Sequence, residues 1–219
     1  MWKISTISIV LSFALIVGLA GCKKKPPIPA DVLLAKGLKY AKNQKYDSCI
    51  SELGKIDELH PYSNESKTAT PVSIYCHYMN KDYEAIYPMI ESFESLYPNS
   101  DQISYLYYLK ALSYFRTIKN HRKSMELLDN LENTTVALYD RDPESKYSEN
   151  LFHLLPFIVE TRLDNKIYVA QHYVISQDYI AAAGRYSELY SQDLNATQKE
   201  NVEKSFSAVL KNLGIKSIE

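Results

Sequence analysis

Cys76 and His77 stand side by side, the two residue types that a thiol nucleophile and its general base would supply. With Cys22, Cys49, His60, His121, His153 and His172 they are all the thiols and imidazoles of the 219-residue chain. Neighbours on a helix point about 100° apart, so Cys76 and His77 face different ways. The histidines fall in separate segments, without HExxH or a Cys/His ligand spacing, and neither GxSxG nor a glycine-rich phosphate loop is present. Asp140-Arg141-Asp142-Pro143 reads as a charged helix end rather than a pair of working carboxylates. Nothing in this set calls for a metal or a cofactor, and an enzyme is not expected. With no CxxC pair and no dense framework, Cys49 and Cys76 read as two small buried thiols at helix contacts; a single Cys49–Cys76 bridge is the alternative.

Cys22 has different surroundings. Met1-Trp2-Lys3 is followed by an apolar run from Ile4 to Gly18, too short for a bilayer span of roughly 20 residues but long enough for an export signal. Leu19-Ala20-Gly21-Cys22 closes it. These four residues resemble the lipobox of bacterial lipoproteins. That resemblance implies acylation of the Cys22 thiol, cleavage before it and Cys22 as the first residue of the mature protein. The chain then divides into a signal peptide (1–21), a lipidated tether (22–29) and a helical body (30–219). Lys23-Lys24-Lys25-Pro26-Pro27-Ile28-Pro29 cannot be helical, because proline lacks the amide donor and restricts the residue before it. Lys23, where many lipoproteins kept at the inner membrane have aspartate, implies outer-membrane sorting by the same resemblance.

Without residues 1–21, 198 residues remain with a formal charge of −2, which gives nucleic acid nothing to hold. A domain of that size buries roughly 70% of its unfolded surface and folds without a metal or a disulfide framework. Glycines are few, and short β-branched runs between glycine turns are missing, so an all-α fold is expected.

The helices repeat. Leu33, Gly37 and Tyr40 recur 37 residues on as Thr70, Ile74 and His77, and again as Tyr107, Ala111 and Tyr114. Second amphipathic helices run from about Tyr46 to Leu59 and from about Tyr83 to Tyr97, ending in His60-Pro61 and Tyr97-Pro98 at the same displacement. A third pair covers about Gln102 to Thr117 and Arg122 to Leu138. A long pattern from Tyr147 to Gln177 should break at Pro156, and Pro88 should cost the second B helix an amide bond. Helices at Tyr179–Tyr190 and about Gln198–Leu213 follow, the last capped by Gly214. Gly37, Tyr40, Cys49 and Pro61 resemble the small, aromatic, small and proline positions of the tetratricopeptide consensus. The expected architecture is a tetratricopeptide-like α-solenoid of about four and a half helix pairs, the fifth lacking its second helix.

Longer stretches narrow the resemblance. Ile74 to Asp82 is similar to I-Y-A-Y-Y-K-x-x-D, Tyr105 to Leu112 to Y-x-x-Y-M-R-G-L, and Val169 to Tyr173 with Tyr179 to Arg185 to V-A-x-Y-Y and Y-V-A-A-x-N-R. These are motifs of the BamD (YfiO/ComL) family of outer-membrane assembly lipoproteins. The loop Tyr62 to Ser66 departs from the family's F-G-P-Y-S, and the insertion after the third A helix is shortened to about Ile118 to His121. Membership implies a lipid-anchored scaffold at the periplasmic face of the outer membrane. It would bind the POTRA domains of the barrel protein BamA through its C-terminal repeats and unfolded outer-membrane proteins through its N-terminal ones. Arg185, with Tyr179 and Tyr186 on the same helix, is the implied partner surface, since an arginine offers a planar fork to a carboxylate.

Independently of any family, the repeat register assigns Leu34, Leu38, Tyr75, Tyr78, Tyr105, Tyr108, Leu112 and Phe115 to the inner face of the solenoid, with Lys42 and Arg116 at its edge. Such an aromatic, nearly uncharged groove suits an extended peptide with apolar side chains; tyrosine as plain packing filler is the competing reading. A different lipid-anchored adaptor, a secretin pilotin or a coordinator of envelope constriction, would share lipobox and solenoid but not the stretches at 74–82 and 179–185.

Overall fold

The computed structural model of the chain describes residues 27–118, 125–192 and 194–215. The expected signal segment, Cys22 and its lysines, His121 and the expected helix start at Arg122 lie outside these residues. The described elements are α1 (Ala30–Lys42), α2 (Tyr46–Leu59), α3 (Asn64–Met79), α4 (Tyr83–Leu96), α5 (Ile103–Thr117), α6 (Met125–Arg141), α7 (Lys146–Phe152), α8 (Leu155–Ile175), α9 (Tyr179–Tyr190) and α10 (Ala196–Asn212). Successive helices pack on one another in the manner of an α-hairpin stack, the short α7 lying against α5 and α6, and no strand occurs among the described residues.

The period of 37 is visible in the backbone. Gln44 and Lys81, 37 apart, both take a left-handed conformation (φ 58° and 64°), as does Gln177 (φ 62°). At each turn an amide reaches back over the helix end: Lys45 N–H to the Tyr40 carbonyl, Asp82 to His77 and Asp178 to Tyr173, at 2.9–3.0 Å. These bonds satisfy carbonyls that the helix end would leave open. The B helices end alike, with His60 at φ −138° and Tyr97 at φ −134°, each followed by proline.

Small residues set the spacing within a pair. A Cβ built on Gly37 would fall 2.1 Å from Leu53 Cδ2, so only glycine lets α1 seat on α2. Buried residues then form successive clusters. Leu33, Leu53, Ile56 and Ala69 fill the first; Ile74, Ile86, Ile90, Phe93 and Leu106 the second. Ala111, Leu128, Leu131 and Ile158 fill the third, and Ala170, Ala182, Tyr186 and Val202 the last. The first three clusters are each closed by a helix of the following repeat, which makes stability a sum over neighbours.

Cys49 and Cys76 are joined in a disulfide, Cα–Cα 6.4 Å, and both are fully buried. This corrects the reading of two free thiols. Their 27-residue separation says nothing of distance; only the seating of α3 against α2 brings them within bridging range. Closing a loop of that length restricts the unfolded chain by about 3.5 kcal/mol on the entropic model. The expected break is present: α7 stops at Phe152 and Pro156 lies in the first turn of α8, where a missing N–H leaves no bond unmade. Pro88 lies inside α4 without ending it, and Pro71 lies buried inside α3. A capping box of Asn195 and Gln198 starts α10, and Gly214 (φ 71°) follows its end.

Two variants test these contacts by urea unfolding. The double change Cys49→Ala with Cys76→Ala should remove about 2–4 kcal/mol, and Gly37→Leu about 1–3 kcal/mol through overpacking.

Candidate functional site

Stacking places the A helices in direct contact: α1 on α3, α3 on α5 and α5 on α7. No comparable packing joins α2 to α4 or α4 to α6, so the stack curves with the A helices inside. Tyr75 and Tyr78 on α3, and Tyr105, Tyr108 and Phe115 on α5, recur at helical spacing and share that inner face. All are half-buried. The structure brings these sequence-assigned residues together and adds rings that the repeat register did not assign to the groove. Tyr46 meets Tyr75 edge-on at 6.3 Å, and Tyr83 meets Tyr78 at 5.6 Å. Tyr147 of α7 contacts both Tyr105 and Tyr108 at 5.6 and 5.4 Å, while Phe157 of α8 stands edge-on to Phe115 at 5.0 Å. Tyr46 and Tyr83 open the first two B helices 37 residues apart, within the register, whereas Tyr147 and Phe157 come from the irregular fourth repeat outside it, where only tertiary packing delivers them.

The electrostatics are those of a neutral, partly dry surface. Burial, with Tyr75, Tyr147, Tyr78 and Tyr108 around it, pushes the Tyr105 phenol up to about 12. Burial also raises Tyr78, against the nearby Arg116 guanidinium, which favours the phenolate. Arg116 is thus a cation beside the groove, Lys146 stands over the Tyr147 ring at 5.1 Å, and Lys110 instead pairs with Glu91 at 3.4 Å. The face offers ring surfaces, phenolic donors and one exposed guanidinium, the requirements for an extended apolar peptide with an acidic group near one end.

Other expected residues have other fates. The Cys76 sulfur is taken up in the bridge and is not a nucleophile, and His77 Nδ1 lies 2.9 Å from Asp82 Oδ2 across its own helix end. Asp142 accepts from Ser104 Oγ at 2.8 Å, and Arg141 donates to Glu94 at 3.0 Å and to the Pro98 carbonyl. Glu94 also accepts from the Tyr107 hydroxyl at 2.8 Å, so α4, α5 and α6 are tied at one point. Arg162 does the same for α8 and α6, through Asp129 at 2.8 Å and Glu132.

At the C-terminal end Arg185 is half exposed, 3.5 Å from Glu188, which also lies 3.6 Å from Lys166. Arg185, Glu188, Lys166, Asn165 and Val169 line a shallow cavity of about 240 Å³ between α8 and α9. Tyr179 is half-buried against the last core cluster. Tyr186 is 1% exposed and stacked on Phe206 at 6.2 Å, so its expected place on the partner surface is corrected: it supports α9 from within. Helical period explains the difference, since a residue next to Arg185 turns about 100° toward the core.

The family model of the YfiO outer membrane lipoproteins matches residues 27–215, a span that includes all of the described residues. The chain belongs to this family. Among similar proteins of the family are the outer membrane protein assembly factors BamD of Caulobacter vibrioides, Rickettsia prowazekii and Haemophilus influenzae. They are 24%, 27% and 23% identical over 83%, 82% and 90% of this chain. This YfiO-family chain spans 61% of the Caulobacter relative's length, 74% of the Rickettsia one and 80% of the Haemophilus one. Among solved structures, the TPR2AB domain of yeast Sti1 in complex with pHSP90 is similar with a TM-score of 0.51 at 16% identity. It covers 84% of this chain and 70% of its own, a likeness of fold. No helix among the described residues is long and apolar enough to cross a membrane.

The raised tyrosines set an alkaline signature. Burial is the main cause at Tyr105, Tyr107 and Tyr114, each pushed up to about 12; the carboxylate of Glu94 adds to it at Tyr107, and Tyr87 adds to it at Tyr114. A phenol whose folded pKa lies above its unfolded value near 10 stabilises the fold fully below that value. The contribution is lost as pH rises from about 10 through about 12. Near-ultraviolet phenolate absorbance should therefore rise later in the folded protein than in urea; superposable curves would contradict the burial of these rings.

Proposed function

We propose that the chain is a lipid-anchored periplasmic scaffold of outer-membrane β-barrel assembly. Its inner aromatic face holds extended segments of unfolded barrel proteins, and the α8–α9 surface around Arg185 docks the POTRA domains of a BamA-like barrel. The observation that carries the reading is the continuous inner row of Tyr75, Tyr78, Tyr105, Tyr108 and Tyr147 beside Arg116. Strands destined for a barrel carry apolar and aromatic residues in alternation, and ring faces accept them without demanding one sequence. An enzyme is not the reading, in keeping with relatives named as assembly factors.

The anchor rests on Leu19-Ala20-Gly21-Cys22 and on the family's description as outer membrane lipoproteins. A buried disulfide agrees with an oxidising compartment outside the cytoplasm. The exposed guanidinium of Arg185, only 3.5 Å from an equally exposed Glu188, can exchange that partner for a carboxylate on another protein.

A photoreactive residue at position 185 should crosslink to a POTRA domain in intact envelopes. Arg185→Glu should weaken POTRA binding about tenfold or more, as loss of a charge-assisted pair predicts, with helical circular dichroism unchanged. In parallel, Tyr105→Ser with Tyr108→Ser should reduce crosslinking to unfolded barrel proteins without touching the POTRA contact. Loss of both contacts together in either variant would refute the division into two surfaces.

A further inference from the structure

The edge of the stack where the first two B helices end carries exposed apolar side chains that the core and the groove leave unused. Leu59 and Leu96 stand 37 residues apart at equivalent helix ends and are 46% and 50% exposed. Between them Tyr62 sits in a left-handed turn (φ 64°) that holds its ring 78% exposed. Tyr62 and Leu96 line one cavity of about 420 Å³ with Pro61, Pro88 and Met89. Ile28, 42% exposed, joins the same edge because His60 Nε2 donates to its carbonyl oxygen at 2.7 Å.

That last bond fixes where the tether leaves the body. Cys22 lies six residues before Ile28, and six residues span at most about 20 Å. An acyl chain on Cys22 therefore keeps this edge, rather than the Arg185 end, within about 20 Å of the bilayer surface. We propose that the edge formed by Ile28, Leu59, Tyr62 and Leu96 lies on the lipid bilayer and seats these side chains in its interfacial layer, a second membrane contact beside the anchor. The inference rests on the anchored reading of Cys22.

The chemistry suits lipid. Aliphatic side chains around a projecting tyrosine match the interface, where an amphipathic ring has one apolar and one wet side. Exposed charges nearby are of both signs: Lys67, which lies over the Tyr97 ring at 5.4 Å, against Asp57 and Glu58. Apolar insertion rather than attraction to anionic headgroups therefore supplies the contact. Four side chains bind weakly alone, so without the anchor an excess of lipid is needed to fill the contact; in the envelope a short tether supplies the same effect by raising their local concentration at the membrane.

The chain's one tryptophan, Trp2, lies in the signal segment, so the mature chain offers a silent background. In the mature chain with Cys22→Ser, the change Tyr62→Trp supplies the sole tryptophan. With vesicles of phosphatidylethanolamine and phosphatidylglycerol, its emission should shift to the blue and be quenched by brominated acyl chains, at low and at high salt alike. Adding Leu59→Ser and Leu96→Ser should weaken partitioning about tenfold or more, as removing the exposed halves of two leucines from the interface predicts. No shift at saturating lipid, a shift abolished by salt, or a shift that follows protein concentration without vesicles would each overturn the proposal; the last would mean a second copy covers the edge. The mass of the mature N-terminal peptide from membranes tests the anchor separately. An unmodified Cys22 there would refute the anchor while leaving the vesicle result to stand by itself.

Discussion

A helix pair of this length cannot bury its own apolar surface, and the whole molecule follows from that. Gly37 against Leu53 brings two helices close, but Ile56 and Cys49 are sealed only when Ala69 and Cys76 of the next helix arrive. The same dependence passes along the stack to the cluster of Ala182 and Val202. Stability is thus assembled from neighbour contacts, and the chain places its covalent bond and its ion-pair struts between neighbours. Cys49–Cys76 ties the first pair to the second, Arg141 joins α6 to Glu94 on α4, and Arg162 joins α8 to α6.

The curvature that makes a groove has the same origin. Because A helices touch A helices while B helices spread, side chains three residues apart on α3 and α5 are brought to one inner surface. Rings that would be filler on an isolated helix become a row, half-buried by each other. Their neutrality is a consequence of that mutual burial, which favours the phenol over the phenolate. The two ends of the stack differ for a simpler reason. The segment before α1 is pinned by His60 at the edge of the first repeat, while Arg185 stands at the far end, exposed and loosely paired. On the proposed reading, a scaffold held at one end and open at the other brings two polypeptides together near a membrane.

Helix existence, the period of 37 and the break before Pro156 were legible because each is a local property. Apolar spacing, a proline without a donor and a glycine beyond a helix end act within one or two turns. The groove residues on α3 and α5 were legible for the same reason, since the register places equivalent residues on equivalent faces. The lipobox-like stretch is read from four adjacent residues and lies outside the described residues.

What tertiary structure alone decided involves residues far apart in the chain. The bridge depends on how α3 seats on α2, a distance that a 27-residue spacing does not encode. Tyr147 and Phe157 join the groove because the irregular fourth repeat folds back on α5, outside the 37-residue register. Tyr186 turned inward because packing of α9 on α10 chose which face of a short helix to bury. Sequence determined the elements and their period through short-range sterics and solvation; which cysteines, rings and charges meet was set by the burial of helix faces against one another.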